Sequence, residues 1–368
     1  MTDTLIYKMA FAALRGMNRA LAGELLSRVG SERDFFEMPD RRLGAVMGFS
    51  NKLFDGTYRA TILEQARREA DFVNANGIRA LYYTDDDYPV RLADCDDAPL
   101  MLYGLGKCDL NRGHVVAVVG TRHATPYGMD FVNRLIADMA KHLAEPVTVV
   151  SGLAFGIDAA AHTASLKCAV PTVGVLGHGL NTIYPAQHRS LAADIVRSGG
   201  MLVSEYRSCD AIHKGNFVAR NRIVAGMCDC LVVAESARKG GALITANIAS
   251  GYNRDVFALP GRISDRYSEG CNRLIASNVA ALVQDVSDVA QAMNWKLKET
   301  EAEQPSLFPD LSEEELAVVE YLTNHGEAQL NQLTIAMNQS VGRMMSLLVD
   351  MEFKGLVLTF PGGKYRLA

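Results

Sequence analysis

The chain has little cysteine, a single tryptophan, no long apolar run and no excess of positive charge. Its seven cysteines are scattered, and the one close pair, Cys228 and Cys230, lies in an apolar segment. Zinc sites need a second pair or histidines at matching spacing, so no metal is expected, and the thiols read as reduced ones of a cytoplasmic protein. No stretch approaches the roughly 18 to 20 apolar residues of a membrane span, and the first twenty residues lack the plan of a signal peptide. No membrane partner is expected. Lys and Arg total 37 against 42 Asp and Glu, a net charge of -5, so any contact with nucleic acid must come from a local patch. Two nucleotide signatures are also missing. After Val119 the chain reads GTRHATPYG, not G-x-G-x-x-G, and no G-x-x-x-x-G-K-S/T occurs anywhere, so no bound cofactor and no nucleotide hydrolysis is expected.

What is present is a globular composition, 49% hydrophobic and 21% charged over 368 residues, enough for two or three domains. Residues 1–76 read as short helices broken by glycines, with a longer amphipathic one over Thr61–Ala75. With twelve Lys/Arg against ten Asp/Glu over residues 1–80, they suit a sterile-alpha-motif-like or helix-hairpin-helix bundle touching DNA backbone, and equally a plain interaction bundle. Short strands at Ile78–Tyr83 and Leu100–Tyr103 are expected to extend the edge of the sheet that follows.

From Val115 to Val283 strand and helix patterns alternate. Strands are expected at Val115–Val119, Val147–Val150, Thr172–Leu176, Met201–Ser204, Cys230–Ala234, Val256–Leu259 and Ala281–Val283. Helices are expected at Gly128–His142, Gly156–Lys167, Ala186–Arg197, Phe217–Gly226 and Ala242–Tyr252. The fold class is therefore α/β, an extended Rossmann-like, doubly wound parallel sheet over 77–294. The charged, proline-containing stretch 295–310 reads as a linker. Over 311–368, three helices and two strands around Pro361-Gly362-Gly363 read as a winged helix, opened by a Ser312–Glu315 capping box. That tail carries seven acidic against four basic residues, a poor phosphate binder suited to protein contacts or regulation.

Ligands of such sheets bind outside the carboxyl ends of the strands. Collected there are Gly120, Thr121 and Arg122; Ser151 and Gly152; and the loop Glu235–Gly241 with Lys239, Gly240 and Gly241. Glycines, hydroxyls and cations on several converging turns make a pocket of hydrogen-bond donors for phosphate or sugar. The most basic stretch follows the fourth strand, where Arg207, Lys214, Arg220 and Arg222 face Asp210 alone, a local +3. On a helix starting near Phe217, Phe217, Arg220 and Asn221 share a face, and Arg222 points away or pairs inward. An aromatic set among Lys214, Asn216 and arginines is the pattern for single-stranded nucleic acid. Asp158 and His162, four apart on one helix, read as a structural hydrogen-bonded pair. Glu235 and Lys239 read as orienting a loop.

Taken together these words resemble the DprA/Smf (DNA-processing protein A) family: VGTR at 119–122, SGLAFGIDAAAH at 151–162, GVLGHGLNTIYP at 174–185, SEY at 204–206, FVARNRIVAG at 217–226, KGGALITA at 239–246, FALPG at 257–261 and GCNRLI at 270–275. The chain departs from the family pattern at Val218, where proline is usual, and at Ala186, where lysine is common. The resemblance implies a non-enzymatic protein that binds single-stranded DNA, forms a homodimer through its Rossmann domain and loads the RecA recombinase onto DNA taken up in natural transformation. It also implies that Arg122 contacts a phosphate and that Lys214–Arg220 grips backbone and base. The rival reading is a Rossmann nucleotide-binding enzyme, phosphoribohydrolase-like, or a nucleotide sensor. Such enzymes carry PGGxGTxxE, whereas Lys239–Leu243 lacks the glutamate. A third reading, transcription regulation through the tail, is disfavoured by its acidity.

Overall fold

The computed structural model describes residues 3–48, 51–298, 311–360 and 362–367, and the chain divides into two compact units that meet between Lys298 and Glu299. The first unit opens with five helices, α1 (Asp3–Ala12), α2 (Arg19–Val29), α3 (Glu32–Glu37), α4 (Asp40–Met47) and α5 (Gly56–Ala75). Local chemistry sets their starts: the side chains of Asn18, Ser31 and Asp55 accept hydrogen bonds from the first turns of α2, α3 and α5. Their apolar faces bury Phe11, Leu25, Phe35 and Val73 in one cluster with Tyr82, Met101 and Tyr103, so the helices pack directly onto two strands, β1 (Arg79–Tyr82) and β2 (Met101–Gly106). A single turn, α6 (Val90–Ala93), connects those strands.

The remaining strands and helices alternate: β3 (His114–Val119), α7 (Pro126–His142), β4 (Val147–Ser151), α8 (Ile157–Lys167), β5 (Thr172–Leu176), α9 (Arg189–Arg197), β6 (Met201–Ser204), α10 (Lys214–Ala219), α11 (Asn221–Gly226), β7 (Cys230–Val233), α12 (Gly241–Gly251), β8 (Asp255–Ala258), α13 (Glu269–Ala276), β9 (Ala281–Leu282) and α14 (Val286–Ala292). They form a sheet in the order β1-β2-β6-β5-β4-β3-β7-β8-β9. Neighbours from β6 through to β9 run parallel; β1 and β2 extend the edge as the sequence predicts, and the structure shows that they join it antiparallel. The apolar run of β3 supplies both faces: Val115, Ala117 and Val119 enter one cluster with α11, α12 and α13, while Val116 and Val118 enter another with α7, α8 and α14. Among the described residues no helix is long and apolar enough to cross a membrane.

Three expectations are corrected. The helix expected over Phe217–Gly226 is two helices joined at Arg220, whose backbone N–H is shared between the Asn216 and Val218 carbonyls as its side chain turns inward. The expected linker 295–310 does not begin at Trp295. The indole stacks on His114, with ring centroids 4.0 Å apart, and Ala144 N–H donates to the Lys296 carbonyl, which holds 295–298 in the first unit; residues 299–310 lie outside the described ones. The second unit has α15 (Glu313–His325), α16 (Leu330–Ala336) and α17 (Val341–Phe353) with three strands rather than two, because β10 (Ala328–Gln329) pairs with β12 (Lys364–Leu367) beside β11 (Val357–Phe360).

Candidate nucleic-acid interface

β3 lies between β4 and β7, so the chain leaves it toward β4 and later returns to its other side. At such a switch point the loops diverge and open a crevice at the carboxyl ends. A cleft of ≈ 780 Å³ stands there, lined from the turns after β3, β4, β5, β7 and β8 and from α10 and α11.

The first wall is Gly120-Thr121-Arg122. Thr121 N–H donates to the Glu235 carbonyl at 2.7 Å, and its own carbonyl accepts from Ile157 N–H at 3.1 Å, which pins the turn to both neighbours. Gly120 is not a space left for a ligand: a Cβ there would stand 2.5 Å from Cγ1 of Ile157. Glu235 takes Thr125 N–H at 2.9 Å and Thr125 Oγ1 at 2.5 Å, fixing the start of α7. It therefore does orient a loop, with Thr125 rather than Lys239 as its partner. The Arg122 side chain is exposed and, among the described residues, has no hydrogen-bond or ion-pair partner.

The floor is built on Arg220, which is 5% exposed. Its Nη1 donates to the Gly152 carbonyl at 2.5 Å and to the Val175 carbonyl, tying the ends of β4 and β5 together. Gly152 is required by this packing, since a Cβ would lie 2.4 Å from Nη2 of Arg220. The expectation that Arg220 shares an outward face with Phe217 is thus corrected: it lies beneath the cleft, held by backbone acceptors. Asp158 is buried beside it and accepts from Ala154 N–H at 3.2 Å. Burial raises the Asp158 carboxyl above its ordinary range, with Arg220 pulling it back, and burial likewise lowers Arg220 against the pull of Asp158. His162 is not bonded to Asp158. Its Nδ1 pairs with Thr172 Oγ1 at 2.7 Å, and burial, then Arg220, lower the imidazole to about 3, so it stays neutral.

The opposite wall is aromatic. Phe217 sits over Gly177, where a Cβ would meet its Cδ1 at 2.9 Å, and its ring lies 5.3 Å from that of Tyr184. Tyr184 is held from behind, its N–H donating to His178 Nε2 at 3.2 Å. Lys214 and Asn221 stand on the same side, Lys214 without a partner among the described residues. At the far end His123 and Tyr267 stack at 6.2 Å, with Arg266 over the Tyr267 ring. Gly240 and Gly241 begin α12 with no side-chain cap, and nothing would meet a Cβ at Gly241. Leu243 N–H donates to the Gly240 carbonyl, which leaves the backbone N–H groups of Gly241 and Ala242 in its first turn for an anion.

Gly120, Thr121, Arg122, Gly152, Lys214, Phe217, Arg220, Asn221, Gly240 and Gly241 therefore converge on one cleft, whereas Ser151, Asn216 and Lys239 do not line it. Ser151 is buried with its hydroxyl donating to the Val118 carbonyl, Asn216 donates to the Ala211 carbonyl, and Lys239 is exposed outside. The sequence reading missed His123, Arg266 and Tyr267 as lining residues. The signal for them was position, each lying in a loop past a strand end. Among the lining side chains, four cations face one buried carboxylate, a field suited to a polyanion.

A model of the family described as DNA recombination-mediator protein A matches residues 79–294. The chain is 32% identical to Protein Smf of Synechocystis over 76% of its own length and 70% of that protein, and 34% identical to Protein Smf of Escherichia coli over 76% and 75%. It is 41% identical to DNA processing protein DprA of Streptococcus pneumoniae over 56% and 71%. Among solved structures, DprA from S. pneumoniae superposes with a TM-score of 0.63 at 32% identity, covering 79% of this chain and 98% of that one. DNA processing protein A from Helicobacter pylori, whose structure concerns its single-stranded DNA binding mode, gives 0.52 at 28% identity, covering 59% and 95%.

Proposed function

Because the chain belongs to the DNA recombination-mediator protein A family, we propose that it holds single-stranded DNA in the cleft at the carboxyl ends of β3, β4 and β7. The observation that carries this is the pairing of two cations without a partner among the described residues, Arg122 and Lys214, with the Phe217–Tyr184 aromatic pair in one open groove. Cations hold successive phosphates, and exposed ring faces take any base, which is the economy of sequence-tolerant single-strand binding. The open first turn of α12 adds backbone donors. The H. pylori relative's single-stranded DNA binding supports the reading. The protein acts by binding rather than catalysis: Glu235 is engaged by Thr125, and His162 lies buried on Thr172.

In this reading the protein works in the cytoplasm as a homodimer through its sheet domain, protects incoming DNA and loads RecA onto it. Residues 1–76 serve as a helical accessory domain, 77–298 as the DNA-binding core and 311–368 as a winged helix engaged in protein contacts. The test is a fluorescence titration of the full chain with oligo-dT and with duplex across a salt series, with free nucleotides as competitors. Tight, salt-sensitive single-strand binding supports the reading; turnover of a nucleotide overturns it.

Two further results are expected. Phe217→Ala lowers single-strand affinity by roughly 1–3 kcal/mol and leaves the salt slope unchanged, because a stacking surface is removed while every cation that holds a phosphate stays. Deleting residues 305–368 leaves oligo-dT affinity within about tenfold, since the deleted segment, with eight acidic against four basic residues, contributes little to phosphate binding. A larger drop on deletion assigns the tail a direct role in holding DNA.

A further inference from the structure

The cleft carries a second aromatic pair, separate from the Phe217–Tyr184 wall. His123 and Tyr267 line its far end, their rings 24° from parallel with centroids 6.2 Å apart. Stacked carbons touch at about 3.5–4.0 Å, so at that separation the imidazole, slipped or parted, leaves much of a Tyr267 ring face uncovered. The tyrosine is held by its backbone rather than by its ring. Its carbonyl accepts from Ser236 N–H at 2.7 Å, and Gly270 N–H donates to the Ser236 carbonyl at 2.9 Å. Gly261 packs on the neighbouring residue, since a Cβ there would run into Ser268 Oγ. The Tyr127 hydroxyl donates to the Pro260 carbonyl at 2.7 Å, which fastens this loop to the start of α7. The Tyr267 hydroxyl, by contrast, has no partner among the described residues.

We propose that His123 and Tyr267 form a second base-holding platform, so that one strand is gripped at both ends of the cleft with Arg122 between. This rests on the single-strand reading above and adds a register to it. Arg266 lies over the Tyr267 ring, its guanidinium 5.7 Å from the centroid. It is exposed and has no ion-pair partner among the described residues, so a base and its phosphate are met together. The acidic residues of the same loop, Asp265 and Glu269, do not line the cleft. Sheet order sets the spacing. Phe217 stands over Gly177, past β5, and Tyr267 is bonded to Ser236, past β7. In the order β5-β4-β3-β7 these are three strand spacings apart, about 14 Å, and Arg122 follows the strand in between. A stacked strand covers that distance in about four nucleotide steps at 3.4 Å each. A mononucleotide would use one platform only; two platforms with a cation between them fit a strand.

The experiment titrates the full chain and its variants with a labelled oligo-dT octamer, and with d(TpT), too short to reach both platforms, as competitor. Tyr267→Ala should lower octamer affinity by about tenfold with the salt slope unchanged. Its affinity for d(TpT) should change by no more than about twofold, because Phe217 and Tyr184 remain to take that ligand. Phe217→Ala and Tyr267→Ala should add on the octamer. Tyr267→Phe should behave as the parent, since the ring and not the hydroxyl does the stacking. Tyr267→Trp should keep octamer affinity, and the octamer should quench its fluorescence. The parent's single tryptophan, Trp295, stacks on His114 outside the cleft and should not respond. Octamer binding that weakens with Phe217→Ala yet is unmoved by Tyr267→Ala, or an unquenched Tyr267→Trp, overturns the second platform and leaves the single-strand reading standing. An equal loss on d(TpT) and octamer also overturns it, and assigns Tyr267 to the shape of the cleft. Absence of octamer binding in the unaltered chain overturns both.

Discussion

Arg122→Ala is expected to lower the affinity for oligo-dT by about tenfold and to flatten the salt dependence by about 0.7 in slope, the signature of one fewer phosphate held on a single strand. The site is suited to a clean measurement. Arg122 is exposed and has no partner among the described residues, while the turn that carries it is held by backbone bonds from Thr121 to Glu235 and Ile157. Removing the side chain leaves the packing of Gly120 on Ile157 intact, so stability should stay within about 0.5 kcal/mol. Lys214→Ala should act in the same direction, and the double change should add if the two cations hold different phosphates. An unchanged slope in both variants would show that neither touches the backbone of the DNA.

Arg220→Ala is expected to have the largest effect on stability, a loss of about 3 kcal/mol by urea denaturation. The guanidinium serves the Gly152 and Val175 carbonyls and lies beside buried Asp158. Truncation leaves two buried acceptors unpaired and a carboxyl without its neighbouring cation. Arg220→Lys should recover only part of the loss, because a single ammonium on a flexible stem does not reproduce a planar fork. If the alanine variant proves as stable as the parent, water or Asp158 has replaced the guanidinium, and the floor of the cleft is softer than these bonds imply.

The contrast between Arg122 and Arg220 marks how far the sequence could be read. β3 was legible because a continuous apolar run followed by glycine admits few arrangements, and its neighbours followed from the same alternation. Arg122 was legible because it stands directly past that strand. Arg220 was not: a helical wheel groups it with Phe217, but its acceptors lie 68 and 45 residues away, supplied by tertiary packing alone. Gly120 and Gly152 looked like openings for a ligand, yet Ile157 and Arg220 fill them. Trp295 heads a run of charges that reads as linker, and nothing local announces the stacking partner at His114. Tyr267 and Arg266 sit in an irregular polar loop, so position past β8 was their only signal.

The strand order has a consequence for synthesis on the ribosome. β3 through β6 are laid down on one side of the sheet, and β7 must emerge before the other side of β3 is occupied. Arg122 leaves the ribosome early, while Gly240, Gly241 and Tyr267, which complete the opposite wall, come much later. At translation rates of about 5–20 residues per second the delay is roughly 7–30 s. During that interval the nascent chain carries Arg122 without a groove around it. Messenger RNA, the single strand closest to hand, therefore meets no finished site until the chain is nearly complete.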